Sequence, residues 1–103
     1  MKVLLHPDAV LDLEAACQWC ESQREGLGNV LAGEVERAME AIADELSMWP
    51  RWPGSVGEPV MRRCLLPRFP FAIGYMVEPD TVVVLAVAHG RRPPRYWEKS
   101  AST

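Results

Sequence analysis

The feature that most constrains the fold is an uninterrupted apolar run in the last third of the chain. Every residue from 82 to 88, VVVLAVA, is apolar. A strand without a polar face must be covered on both sides, so this run predicts a strand in the middle of a sheet. The run ends at His89 and is followed by a short segment rich in arginine, proline and aromatic residues. The most buried strand therefore delivers a histidine and several cations to one rim of the sheet.

Two further strand-like segments precede this run. Residues 69–77 alternate bulky with small side chains, and a short turn at residues 78–80 joins them to the apolar run. A two-residue period also holds over residues 56–66. Because short turns join antiparallel neighbours, these segments predict a three-stranded antiparallel meander. The bulky face of residues 69–77 is expected to pack on the helices.

The first fifty residues predict a short strand and two amphipathic helices. Residues 3–6 form the strand, which ends at Pro7, and Asp8 is placed to cap the helix that follows, because its carboxylate can accept from free backbone amides. Apolar side chains then recur at steps of three and four in two stretches, separated by glycines within residues 26–28. A short link between two such helices makes a helical hairpin.

The second helix has the strongest periodicity in the sequence. It is predicted to be capped by Asn29 and to run to about residue 48, with Ile42 and Leu46 buried against the strands. The predicted architecture is an α+β fold: an N-terminal strand, a helical hairpin and a three-stranded antiparallel meander, with the helices packed on one face of a four-stranded sheet. The simplest such sheet is antiparallel throughout. At 103 residues, we expect one domain spanning residues 1–103.

Composition limits the class of protein. Hydrophobic residues make up 49% of the chain and charged residues 24%, as in ordinary soluble domains. The apolar stretch at the N-terminus is too short for a signal peptide or a membrane span, so we expect a cytoplasmic protein that does not bind a membrane. The three cysteines are an odd number, which argues against a disulfide framework.

Charge is distributed unevenly along the chain. Residues 1–50 carry three basic residues against ten acidic ones, whereas residues 51–103 carry eight against four. The basic half is therefore suited to an anionic partner. The alternative is that the acids only keep the helix surfaces soluble and that the arginines are scattered.

Seven segments, taken in order, resemble the RelE/ParE superfamily of bacterial toxins. Each segment is short, but their order and spacing extend over almost the whole chain. They are HP at 6–7, AACQW at 15–19, GLG at 26–28, WP at 52–53, RRCLL at 62–66, RFPFAIGY at 68–75 and VLAVAHGRRPPRYW at 84–97.

The resemblance implies the toxin of a type II toxin–antitoxin module, of the kind found in plasmid-stabilisation systems. Such a toxin inhibits growth and is neutralised by a cognate antitoxin, with which it forms a hetero-oligomer; no cofactor or metal is predicted. ParE-like members inhibit DNA gyrase by binding, whereas RelE-like members cut messenger RNA on the ribosome.

The low lysine content favours the ParE-like mechanism. RelE-like nucleases use a cluster of lysines and arginines, whereas this chain contains only Lys2 and Lys99. We therefore expect inhibition of an essential target, with gyrase as the candidate, by binding. The alternative is a RelE-like ribosome-dependent mRNA endoribonuclease, and the third hypothesis is an interaction domain of the same fold that has lost toxicity.

The candidate functional residues lie at and around the rim after the apolar run. Cleaving RNA through its 2′-hydroxyl requires a base, an acid and cations around the phosphate. The candidate catalytic residues of a nuclease are His89, Arg62, Arg91 and Tyr96. The candidate residues for binding the target or the antitoxin are Arg62, Arg63, Arg68, Arg91, Arg92, Arg95, Tyr96 and Trp97. The alternative is that His89 merely ends a strand and that the aromatic residues hold the C-terminal segment on the domain.

Cys17 and Cys20 form a Cys-x-x-Cys motif. Redox motifs of this form lie at a helix N-terminus, where the helix dipole lowers the thiol pKa. Here the pair lies in the middle of a predicted helix at core spacing, which predicts two buried thiols. A zinc site would need a second pair of ligands, and Cys64 alone does not supply one.

Overall fold

The computed structural model describes residues 2–45, 49–52, 54, 57 and 60–89. Its elements follow the predicted order of strand, helical hairpin and meander, so the predicted fold class is confirmed. Leu46 and the predicted functional residues from Arg91 to Trp97 lie outside the described residues. The elements are β1 (Lys2–Leu5), α1 (Pro7–Gln23), α2 (Leu27–Asp44), β2 (Met61–Leu65), β3 (Phe71–Glu78) and β4 (Thr81–His89).

The strands form one sheet in the order β1-β4-β3-β2. β4 therefore lies between two strands, as its apolar sequence predicted. β3 is antiparallel to both β2 and β4, but β1 pairs with β4 in parallel. The expectation of a wholly antiparallel sheet is therefore wrong. A parallel pair needs a long crossover connection, and the helical hairpin and meander between β1 and β4 supply one.

A β-bulge divides β4 into two parts. Tyr75 pairs with Val84 and Gly74 pairs with Ala86, which leaves Leu85 as an extra residue on β4. The bulge shifts which side chains face the helices. Before the bulge Val84 joins the main core, and after it Val87 does, three residues further on.

The main core lies between the helical hairpin and one face of the sheet. Ile42 of α2 is completely buried, and it belongs to the same cluster as Ile73 and Tyr75 of β3. The predicted burial of Ile42 is thus confirmed. Cys64 of β2 also lies in this cluster, on the face that the two-residue period predicted for it.

Trp52 packs on the opposite face of the sheet. Its amide donates to the carbonyl of Met61 at 2.8 Å, and the amide of Arg63 donates to the carbonyl of Pro50 at 2.9 Å, so residues 50–52 run beside β2. Trp52 is only 1% exposed, although it is not part of the main core. The guanidinium carbon of Arg63 lies 5.9 Å from its ring centroid. This second face is therefore covered in part by an aromatic side chain and an arginine.

α1 is capped by His6 and not by Asp8. The imidazole Nδ1 of His6 accepts from the amide of Asp8 at 3.1 Å. Pro7 occupies the first turn, where its missing amide hydrogen is not needed. Pro7 follows His6 directly, so His6 can cap a helix that begins at Pro7. The helix therefore begins earlier than predicted, and Asp8 lies inside its first turn.

α2 is capped by a side chain of α1 and not by Asn29. The two carboxylate oxygens of Glu21 accept from the amides of Gly26 at 2.9 Å and Gly28 at 3.0 Å. These hydrogen bonds lower the pKa of the Glu21 carboxyl. Gly26 has a φ of 86°, a left-handed conformation that glycine adopts readily. The hairpin is thus closed by a tertiary contact, which the local sequence around Asn29 does not reveal.

Gly28 marks the closest approach of the two helices. A Cβ atom at this position would lie 2.8 Å from the carbonyl oxygen of Cys17 and 3.0 Å from Oε1 of Glu21. The first of these atoms is backbone and cannot move without shifting α1. Any larger residue here therefore separates the helices.

We predict that Gly28→Ala destabilises the protein by about 1–3 kcal/mol through overpacking, despite the higher helix propensity of alanine. Gly33→Ala in the same helix is the matched control, since a Cβ there meets only the flexible Arg37 side chain at 3.5 Å. That substitution should stabilise the protein by about 0.5–1 kcal/mol. Chemical denaturation measures both changes. Equal stabilisation by the two substitutions would contradict the close contact of the helices.

Candidate functional site

The structure places His89 at the end of β4 beside two aromatic side chains. The ring centroid of His89 lies 5.3 Å from that of Phe71 and 6.3 Å from that of Trp19, and the Trp19 and Phe71 centroids are 6.1 Å apart. All three pairs meet edge to face, at interplanar angles from 74° to 85°. In this geometry the positive edge of one ring meets the negative face of another, which stabilises each pair. We call Trp19, Phe71 and His89 the aromatic corner.

Three different elements build the aromatic corner. Phe71 begins β3 and is the direct cross-strand partner of His89. α1 packs on β4 and brings Trp19 to the same place. The corner is therefore fixed by the sheet register and by the position of α1, and not by a local loop.

The aromatic corner forms one wall of an open cavity of about 360 Å³. We call it the Asp12 cavity, because Asp12 carries the carboxylate among its lining residues. The remaining lining residues are Ala15, Ala16 and Val87.

Asp12 is held in place by a backbone amide of β4. The last residue of β1 lies opposite Val84, and the amide of His6 donates to the Val84 carbonyl at 2.8 Å. Beyond that point β1 no longer pairs with β4. Oδ2 of Asp12 takes over as acceptor and receives the amide of Val87 at 3.1 Å. Burial raises the pKa of the Asp12 carboxyl, the Val87 hydrogen bond lowers it, and the nearby charge of Asp8 raises it further.

None of the described candidate arginines lines the Asp12 cavity. Arg62 lies on the helix-facing side of β2, and its Nη1 donates to the carbonyl of Trp49 at 2.7 Å. Arg63 points to the other face of the sheet, over Trp52. The structure therefore separates these two arginines from His89, although the sequence grouped them with it. Arg91, Arg92, Arg95, Tyr96 and Trp97 lie outside the described residues.

Arg68 lies on the connection between β2 and β3 and pairs with Glu34 of α2. Its Nε donates to Oε1 of Glu34 at 2.6 Å, and its Nη2 completes an ion pair with the same oxygen. Glu34 is 8% exposed, whereas the Arg68 side chain remains 65% exposed. The pair therefore fastens the β2–β3 connection to α2 and leaves part of the guanidinium open to solvent.

A second cleft, of about 480 Å³, lies on the other side of Trp19. We call it the Arg68 cleft, because Arg68 and Arg24 give it a positive charge. Its walls are otherwise mostly apolar, and it sits between the helical hairpin and the β2–β3 connection. Its lining residues are Trp19, Cys20, Gln23, Arg24, Leu27, Val30, Arg68, Phe69 and Pro70.

The cysteines are free thiols whose surroundings disfavour the thiolate. Cys20 is completely buried and Cys17 is half-buried. Burial raises the pKa of both, and the proximity of Cys20 raises that of Cys17 further. Burial also raises the pKa of Cys64 to about 11. A reactive Cys-x-x-Cys pair requires the opposite shift.

Within residues 2–45, 49–52 and 60–89, no three His, Cys, Asp or Glu residues come together in a way that could hold a metal ion. No helix in this part of the chain is both long and apolar enough to cross a membrane.

Sequence reasoning found His89 but missed Asp12 and Trp19 as its neighbours. The sequence does not single out Asp12, and Trp19 enters only through the resemblance of the segment at 15–19. Residues seven apart lie on the same side of a helix, so the spacing of Asp12 and Trp19 places both along one line of α1. What the spacing does not reveal is that this line faces the end of β4.

Comparison with known proteins identifies the fold. No family model matches the sequence, and no curated protein matches it. Among solved structures, a chain of the "Chromosomal ParDE TA system from P. aeruginosa" superposes with a TM-score of 0.74 at 16% sequence identity, over 87% of this chain and 96% of that chain. The protein has the fold of this ParDE chain. In this domain, α1, the start of β3 and the end of β4 enclose the Asp12 cavity, and the helical hairpin and the β2–β3 connection enclose the Arg68 cleft.

We predict that Arg68→Ala lowers the free energy of unfolding by about 1–3 kcal/mol, because it leaves the buried carboxylate of Glu34 without its donor. Arg24→Ala is the matched control: it removes the other cation of the Arg68 cleft and should change stability little. Adding Glu34→Leu to Arg68→Ala should recover much of the loss. Equal losses for Arg24→Ala and Arg68→Ala in chemical denaturation would show that the ion pair contributes nothing specific.

Proposed function

We propose that the protein is the toxin of a type II toxin–antitoxin module and that it inhibits an essential target by binding, with DNA gyrase as the first candidate. The observation that carries this proposal is the likeness of nearly the whole chain to one from a ParDE toxin–antitoxin system. The seven segments that resemble the RelE/ParE superfamily support it independently of the coordinates. In such a module a cognate antitoxin binds the protein and suppresses its effect on growth.

The placement of the described arginines supports binding over RNA cleavage. A ribonuclease stabilises the developing charge on the phosphate with several preorganised cations near its acid and base. Arg62 and Arg68 are engaged with Trp49 and Glu34, and neither lines the cavity at His89.

A RelE-like endoribonuclease is the second candidate. The observation in its favour is that His89 and Asp12, an imidazole and a carboxylate, line the same open cavity. Such an enzyme would draw its cations from Arg91 and its stacking or acid group from Tyr96, both outside the described residues. An interaction domain without toxicity is the third candidate.

The Arg68 cleft is the proposed contact for the antitoxin. Its apolar walls suit the apolar side of an amphipathic segment, and Arg24 and Arg68 suit acidic residues on that segment. Of the candidate binding residues that the structure describes, Arg68 has the exposed guanidinium next to apolar surface. Arg91, Arg92, Arg95, Tyr96 and Trp97 remain proposed contacts for the target.

The proposal predicts growth arrest when the protein is expressed alone in bacterial cells, and recovery when the product of the neighbouring reading frame is co-expressed. Purified protein should inhibit supercoiling by gyrase and should leave messenger RNA intact on translating ribosomes. His89→Ala should then reduce toxicity only as far as it weakens binding. Loss of a general acid–base group would instead cost about 10²–10⁴-fold in cleavage rate. Codon-positioned cuts that disappear in a folded His89→Ala protein would establish the nuclease.

Charge reversal tests the antitoxin contact. Arg24→Glu should weaken antitoxin binding by about tenfold, because it places a negative charge where an acidic segment docks. Arg37→Glu makes the same change of charge on an exposed part of α2 that does not line the Arg68 cleft. Isothermal titration measures both affinities. Equal effects of the two substitutions would rule out a specific contact at the Arg68 cleft.

A further inference from the structure

The Asp12 cavity has no part in the antitoxin contact proposed at the Arg68 cleft or in the proposed inhibition of gyrase. It combines a carboxylate, an exposed indole and two further aromatic rings around one open space. A site of this composition is matched to a positive charge.

The electrostatics of α1 are one-sided. The helix carries four carboxylates, on Asp8, Asp12, Glu14 and Glu21, and no lysine or arginine. Among the described residues, no lysine or arginine lines the cavity either. Among the described residues, Arg68 pairs with Glu34, and no lysine or arginine forms an ion pair with Asp12.

Asp12 is also preorganised as an acceptor. Its Oδ2 receives the amide of Val87, which anchors that oxygen and does not occupy the other one. A carboxylate that is already fixed and partly shielded from water attracts a nearby cation more strongly than a mobile surface carboxylate does. It also loses little side-chain entropy when it binds one.

Trp19 is the second residue of the Asp12 cavity that is suited to a cation. Its side chain is 48% exposed, and the edge-to-face contacts with Phe71 and His89 hold its ring in position. Among aromatic side chains, tryptophan gives the strongest cation–π interaction. A planar guanidinium can stack on the indole and donate to a carboxylate at the same time, and it is more weakly hydrated than an ammonium.

We propose that the Asp12 cavity binds an arginine side chain of a partner protein, with the guanidinium stacked on Trp19 and hydrogen-bonded to the Asp12 oxygen that does not accept from Val87. The cavity is open and its lining includes Ala15 and Ala16, and Leu11, the neighbour of Asp12 in the sequence, is 63% exposed. This apolar surface is suited to side chains that flank the arginine in a polypeptide. A small free cation would use only the charge and the indole and would leave that surface uncovered.

The experiment titrates full-length ¹⁵N-labelled protein with the peptide acetyl-Leu-Arg-Leu-amide and follows the Trp19 indole and Val87 amide signals by NMR. The matched probe replaces arginine by citrulline, which keeps the shape and removes the charge. The arginine peptide should shift both signals saturably. The affinity of the citrulline peptide should be lower by about fivefold or more. Guanidinium ion alone should also bind more weakly than the peptide, because it lacks the apolar contacts.

Two substitutions separate the site from general attraction to an acidic helix. Asp12→Asn keeps an oxygen that can accept from Val87 and removes the charge, so it should weaken the arginine peptide about fivefold or more. Glu14→Gln removes one charge from the same helix outside the cavity and should leave the affinity nearly unchanged. A third variant, Trp19→Leu, should weaken the arginine peptide more than the citrulline peptide.

Equal binding of the arginine and citrulline peptides, or equal effects of Asp12→Asn and Glu14→Gln, would overturn the proposal. If guanidinium ion alone bound as tightly as the arginine peptide, the assignment to a protein partner would be overturned. The titration does not depend on toxicity, so its failure and the failure of growth arrest are separate results.

Discussion

The central strand β4 extends beyond its neighbour β1. The structure depends on other acceptors for the backbone amides of β4 that β1 does not reach. β4 has nine residues, whereas β1 has four and stops opposite Val84. A buried amide left without an acceptor costs about 1–3 kcal/mol. Asp12 supplies the missing acceptor at Val87, and in doing so it fixes α1 against the end of β4. One hydrogen bond therefore links the sheet, the helix and the cavity that they enclose.

The same arrangement explains why two binding surfaces of opposite charge lie side by side. With α1 fixed, Trp19 stands between the Asp12 cavity and the Arg68 cleft and contributes to both. Glu34 then holds Arg68, which keeps the second cleft basic although α2 is acidic. A partner that crosses Trp19 meets a negative site on one side and a positive site on the other. Charge of this kind fixes orientation and partner choice more than it adds affinity.

The sequence was sufficient for the fold and insufficient for the site. The apolar run predicted the central strand, and the helical periodicity predicted the burial of Ile42, because both patterns record which faces are covered. The parallel pairing of β1 depends on the crossover as a whole, and the cap at Gly28 comes from Glu21 of the other helix, so local patterns do not contain them. The described arginines Arg62 and Arg68 do not line the cavity at His89 for the same reason: the sequence shows their charge but not Trp49 or Glu34, to which they are bound.

The most direct test of this account is amide hydrogen exchange at Val87. In the native protein this amide should be protected, although β1 no longer pairs with β4 on that side of the strand. Asp12→Ala should accelerate its exchange about tenfold or more relative to the amides of β3, which keep their neighbours on both sides. Asp12→Asn, which retains an acceptor, should leave most of the protection in place. A Val87 amide that exchanges in Asp12→Ala at the native rate, or no faster than the β3 amides, would show that Asp12 does not hold α1 to the end of the central strand.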